Sequence, residues 1–197
     1  QTCALPIFDL KVIGDLKVSN DSRNGHFTNI KNAVAYAKRF RKIFPELGEP
    51  SIIIEAGEYE LNETVLLDFD IKISGVGPNT IIRKSDSLTY GITYDSDKVD
   101  MGTAAFMIGG GSDQTSDLII NGVSLSNFTY KSKESMVSGV GCAIALTQLI
   151  QKVGTEISPK AIYRFENISF HGPNDIDGSA ALDADKIGEF ALYIGQQ

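Results

Sequence analysis

Three observations predict an all-β fold of the parallel β-helix type. Short β-rich runs crowd the stretch 51–86: Ile52-Ile53-Ile54, Ile71-Lys72-Ile73 and Thr80-Ile81-Ile82. They are too short and too closely spaced for helices, and are punctuated by Gly57, Gly75, Gly77 and Pro78. Related runs recur at long, similar offsets. Asn-Gly hairpin signals are scarce, Asn121-Gly122 being the exception. A two-sheet sandwich is the competing architecture, because it too has short strands at regular intervals.

The offsets carry most of the prediction. Leu118, Ile120, Val123 and Leu125 align with Tyr163, Phe165, Ile168 and Phe170, 45 positions on. Ile71 to Val76 aligns with Leu118 to Val123, 47 positions on. An intermediate apolar run lies near each midpoint, at 105–108 and 143–146, so the implied repeat is about 22 to 24 residues, a solenoid period. Each coil would bury a stripe of Ile, Leu, Val and Phe against its neighbours, and its open ends would need caps.

Residues 1–7 (QTCALPI) read as a translated sequencing-library adapter and are set aside, leaving 8–197 as a single domain expected to be truncated at both ends. Cys142 then stands alone in an apolar run, as a buried small hydrophobe would. Residues 8–18 alternate as one or two strands, and 19–25 (SNDSRNG) form a polar loop. One clear helix follows over 28–44, with Ile30, Val34, Ala37, Phe40 and Phe44 on one stripe, Thr28 as N-cap and Pro45 as stop. Its position before the first coil suits an N-terminal amphipathic cap. Lys38, Arg39, Arg41 and Lys42 are expected to form a solvated face that compensates the helix dipole.

Composition excludes several function classes. Apolar residues make up 42% and charged residues 22%, which fits a globular chain. No run approaches the roughly 18 apolar residues of a membrane span. A net charge of −7 argues against a nucleic-acid partner, which needs a basic footprint. An acidic polymer would need a local basic patch or a bridging cation.

Gly25-His26-Phe27-Thr28-Asn29-Ile30, the helix with Ala33 and Ala37, 53–59 (IIEAGEY) and 73–82 (ISGVGPNTII) together resemble the N-terminal part of pectin-lyase-like right-handed β-helix proteins. That group includes pectin methylesterases, pectate-lyase-like proteins and phage tailspikes. Ala56 replaces the usual Pro of the family pattern. The resemblance implies a right-handed parallel β-helix that acts on or binds a polysaccharide, pectin-like or another acidic glycan, by esterase, lyase or glycosidase chemistry. It also implies an extracellular, cell-surface or virion location. The alternatives are a tailspike or receptor-binding fibre, as a homotrimer, and a non-catalytic bacterial surface protein or adhesin. The later motifs that supply catalytic residues in the esterases are missing here, so no catalytic residue is carried over.

The candidate site residues come from the densest acidic stretch. His171, Asp175 and Asp177 are the substrate-binding candidates, and Asp175, Asp177, Asp183 and Asp185 are candidates for calcium, since an Asp-x-Asp-Gly run can turn tightly and present oxygens to a hard cation. Asp68 and Asp70 alternate around Phe69 as a strand does and are expected to point outward.

Overall fold

The computed structural model describes residues 14–89, 101–109, 120–132, 140–146, 151–153, 156–158, 161–171 and 190–194. The helix α1, Ile30–Ile43, begins at the first residue of its apolar stripe, and its N-cap is Asn29, one residue after the expected Thr28. The Asn29 side chain accepts the N–H of Asn32 at 3.2 Å, satisfying one of the donors a helix start leaves open. At the other end Phe44 N–H donates to Phe40 O, and Pro45 opens a single 3-10 turn, Pro45–Leu47. Ile30, Ala33, Val34 and Ala37 are buried. They face strands β1 (Leu16–Val18), β2 (Ser51–Ile54) and β4 (Val65–Leu67).

The remaining strands are β3 (Gly57–Glu63), β5 (Ile71–Gly75), β6 (Thr80–Thr89), β7 (Met101–Ile108), β8 (Gly122–Lys131), β9 (Val140–Leu146), β10 (Gln151–Val153), β11 (Glu156–Ser158), β12 (Ile162–His171) and β13 (Phe190–Ile194). Seven of them form one sheet in the order β1-β2-β5-β8-β6-β3, with β12 also on β8. Four form a second sheet, β13-β9-β7-β4. Among the described residues every pairing within these two sheets is parallel, and only the separate β10–β11 pair is antiparallel. Parallel pairing disposes of the sandwich alternative.

These pairings overturn the expected uniform right-handed β-helix solenoid. The chain forms a mostly parallel arrangement with one helix, a curled sheet and a second sheet, a pattern nearer the parallel α/β type than a solenoid. Its pairing offsets follow no single period. Ile52 pairs with Ile73, 21 positions on; Ile71 with Val123, 52 on; Val123 with Tyr163, 40 on. The two alignments of 45 and 47 were therefore each in error by five residues. The cause is a pattern that occurs twice in overlap: apolar residues at 118, 120, 123 and 125 have the same spacing as those at 123, 125, 128 and 130. Apolar spacing cannot choose between the two.

A corner at Asn127 makes the choice. Its φ of 58° lies in the left-handed region, as does that of Asn167 at 53°. Asn tolerates this conformation better than most residues. The turn lets β8 pair with β5 through Val123–Ser126 and with β6 through Thr129–Lys131, which curls the sheet. Asn167 stacks on Asn127, its Nδ2 donating to Asn127 Oδ1 at 3.1 Å. Asn127 Nδ2 in turn donates to Ser74 Oγ at 3.0 Å. Next to Ser74, Gly75 is required: a Cβ there would lie 2.2 Å from the Asn127 carbonyl oxygen.

The core grows from in-register columns. Leu16, Ile52, Ile73, Leu125 and Phe165 follow one another across β1, β2, β5, β8 and β12. The first four are buried, each contributing about 1.5–3 kcal/mol. Val65, Leu67, Phe106, Ile108, Ile144 and Leu146 do the same for the second sheet. Phe106 and Phe128 join the two at 6.1 Å between ring centroids. Tyr59 is buried and spends its hydroxyl on the carbonyls of Glu55 and Val18.

Candidate functional site

The carboxylates between β4 and β5 are structural. Asp68 and Asp70 were expected to point outward, yet both are buried. Lys38 of the helix pairs with Asp68, and Arg41 Nη2 lies 3.8 Å from Asp70 Oδ2. Asp70 also accepts the backbone N–H groups of Asn121 and Gly122 and the Asn121 side-chain amide. Two of the four clustered helix cations thus fasten α1 to the β4–β5 connection instead of lying on a solvated face. This ties a buried charge to the partners it needs.

His171, the first substrate-binding candidate, ends β12 on the exposed surface. It pairs with Lys131, and its carbonyl accepts Ser132 N–H at 3.0 Å. Asp175, Asp177, Asp183 and Asp185, the other binding and calcium candidates, lie outside the described residues. Among the described residues no three His, Cys, Asp or Glu side chains gather as a metal would require. Cys142 is buried, as its apolar run predicts. No helix among the described residues is long and apolar enough to cross a membrane.

A groove forms where sequence reading saw only a polar loop. It is an open groove of about 570 Å³, lined by Lys17, Ser19, Asn20, Asp21, Asn24, Glu55 and Ala56. The volume falls within the range of roughly 300–1,000 Å³ that small-molecule sites occupy. Lys17 stands on β1, where its outward position follows from strand alternation, and Glu55 follows β2. Their charged groups lie 3.9 Å apart. The loop between them is ordered by its own hydrogen bonds. Ser19 N–H reaches Phe27 O, and the N–H groups of His26 and Phe27 both reach Lys17 O. Lys17 N–H donates to His26 Nδ1.

Asp21 organises the tip. Its carboxylate accepts the Arg23 backbone N–H at 3.0 Å, the Arg23 guanidinium at 3.0 and 2.9 Å, and Asn24 Nδ2 at 3.2 Å. Arg23 holds the Asp21 carboxyl below its ordinary range, first through its side chain and then through its backbone N–H. Asn20 Nδ2 crosses to Glu58 O at 3.0 Å and anchors the loop to β3. The result is a preformed wall of amide, hydroxyl, carboxylate and ammonium groups. Such a wall can exchange hydrogen bonds with a polyhydroxylated ligand. The signal available in the sequence was the density of side-chain donors and acceptors in SNDSRNG, which a loop reading absorbs without assigning a use.

Comparison with protein-family models, curated proteins and solved structures finds no match to this chain.

Proposed function

We propose that the protein binds a polysaccharide, and that the groove between β1, the 19–25 loop and Glu55 is where a sugar unit sits. The groove lining is the observation that carries this reading: six of its seven residues bear hydrogen-bonding side chains, held by a self-bonded loop. The lining also bears on the type of glycan. Asp21 and Glu55 are each paired with a cation, Arg23 and Lys17. The groove therefore offers a uronate no surplus positive charge, so a neutral polymer is favoured over a pectin-like acidic one.

Calorimetric titration of neutral and uronic oligosaccharides tests this. Neutral oligosaccharides should bind, and Glu55→Gln or Asn24→Ala should weaken them about tenfold, the effect of losing one hydrogen bond of about 1.4 kcal/mol. Preference for uronates, or affinity indifferent to both substitutions, would overturn the proposal.

A further inference from the structure

An asparagine followed by glycine holds a latent reaction. The backbone nitrogen of the glycine can attack the side-chain amide carbon of the asparagine, and the missing Cβ leaves that approach unhindered. Besides Asn121-Gly122 among the strand runs, the chain has one further pair, Asn24-Gly25, in the loop that walls the groove. The fold treats the two pairs in opposite ways.

At Asn121-Gly122 both reacting groups are tied. Gly122 opens β8, pairs with Ile162 of β12, and donates its N–H to Asp70 Oδ1 at 3.1 Å. Asn121 Nδ2 donates to Asp70 Oδ2 at 2.9 Å, and Asp70 is itself buried. At Asn24-Gly25 the attacking nitrogen is not held. Asn24 closes a turn, its N–H donating to Asp21 O at 2.9 Å. Its exposed side chain keeps one bond, from Nδ2 to Asp21 Oδ2 at 3.2 Å. Gly25 lies outside helix and strand, and its N–H has no hydrogen-bond partner among the described residues.

We propose that Asn24 is a site of spontaneous modification, deamidated through a succinimide, and that the change weakens ligand binding in the groove; the second half rests on the glycan reading above. The Gly25 N–H gives its proton to solvent hydroxide, and the bond from Gly25 N to Asn24 Cγ forms. The Cγ–Nδ2 bond breaks, and ammonia leaves with a proton from water. Water then opens the ring at either carbonyl, giving aspartate or isoaspartate. Both products lose the amide donor to Asp21 and set a second carboxylate beside it. Isoaspartate also lengthens the main chain by one carbon where there is no slack. A Cβ on Gly25 would already lie 2.8 Å from the Cβ and N of Ser19. Ser19 and Asn24 both line the groove, so its wall shifts as well as changing charge.

Incubation of the full chain at mildly alkaline pH tests this, with peptide mapping by mass spectrometry and an enzymatic isoaspartate assay. Reaction at Asn121 must first open two hydrogen bonds, so Asn24 should convert at least tenfold faster in the folded chain. In urea the two should convert at similar rates. Asp70→Ala, checked by circular dichroism to be folded, releases the Gly122 N–H and should speed conversion at Asn121. The aged chain, and Asn24→Asp, should bind neutral oligosaccharides about tenfold more weakly than the fresh chain. Equal rates at the two sites in the folded wild type would overturn the proposal. So would an Asn24 that converts only in urea, an Asn121 no faster in folded Asp70→Ala, or an affinity unchanged by conversion. A fresh chain that binds no oligosaccharide would sink the glycan reading, while the comparison of rates would still decide the modification.

Discussion

Replacing Asn127 separates two contributions that meet at the corner of β8. Asn127→Ala keeps a Cβ in a backbone held at φ 58°, which costs about 1–2 kcal/mol for a residue without local side-chain compensation. It also removes the donor to Ser74 Oγ and the acceptor for Asn167 Nδ2, each worth about 1 kcal/mol net. The expected loss is about 3–4 kcal/mol in all. Asn127→Gly loses the same two hydrogen bonds but accepts the left-handed backbone freely. Its expected loss is smaller, about 2–3 kcal/mol, from the two hydrogen bonds plus the entropy that glycine adds to the unfolded chain. Urea denaturation at unchanged m-value would read the two midpoints directly. For a domain of this size the alanine variant should also melt about 10 °C lower than wild type. The corner cannot yield by moving its carbonyl, since Gly77 N–H is bonded to Asn127 O at 3.1 Å. If Asn127→Ala proved as stable as Asn127→Gly, backbone conformation would not be what selects asparagine here. The account of how β8 serves both β5 and β6 would then fail.

Two other outcomes follow from buried polar groups. Asp70→Ala strands the N–H groups of Asn121 and Gly122 and should cost about 2–4 kcal/mol. Asp70→Asn, which keeps one acceptor, should cost roughly half as much in the same denaturation assay; equal losses would mean that charge, and not acceptor count, holds the β4–β5 connection. Tyr59 and Tyr163 are both raised above the ordinary tyrosine value, chiefly by burial, with Glu55 adding to the first and Asp70 to the second. A raised folded-state pKa favours the protonated form. The stability these groups supply is therefore complete below about pH 10 and lost as pH rises through their folded values. Ultraviolet titration should show phenolate absorbance from Tyr59 and Tyr163 appearing late, and Tyr163→Phe should remove one late component. An unchanged titration curve in Tyr163→Phe above the ordinary tyrosine range would contradict the assignment.

Local patterns were enough to place most of the elements. The α1 stripe from Ile30 to Ala37, its stop at Pro45 and the β-branched runs of β2, β5 and β6 all follow from periodicity and from the residues between the runs. The buried state of Cys142 followed in the same way. None of this depends on which strand meets which, because propensity and amphipathicity act over a few residues.

Register and partnership were decided in three dimensions. Apolar spacing around 118–130 fits two registers five residues apart. The left-handed corners at Asn127 and Asn167, stacked on each other and on Ser74, select one of them. Asp68 and Asp70 alternate as outward strand residues would, yet they are buried because Lys38 and Arg41, some 30 positions earlier, arrive on the helix face opposite them. The groove arises likewise, from Glu55 meeting a loop more than 30 residues before it. The helix and most strand runs were legible along the chain, since they rest on near neighbours. The curled two-sheet arrangement, the burial of the acidic pair and the place of the candidate site were not. Those depend on contacts whose energy comes from residues far apart in sequence.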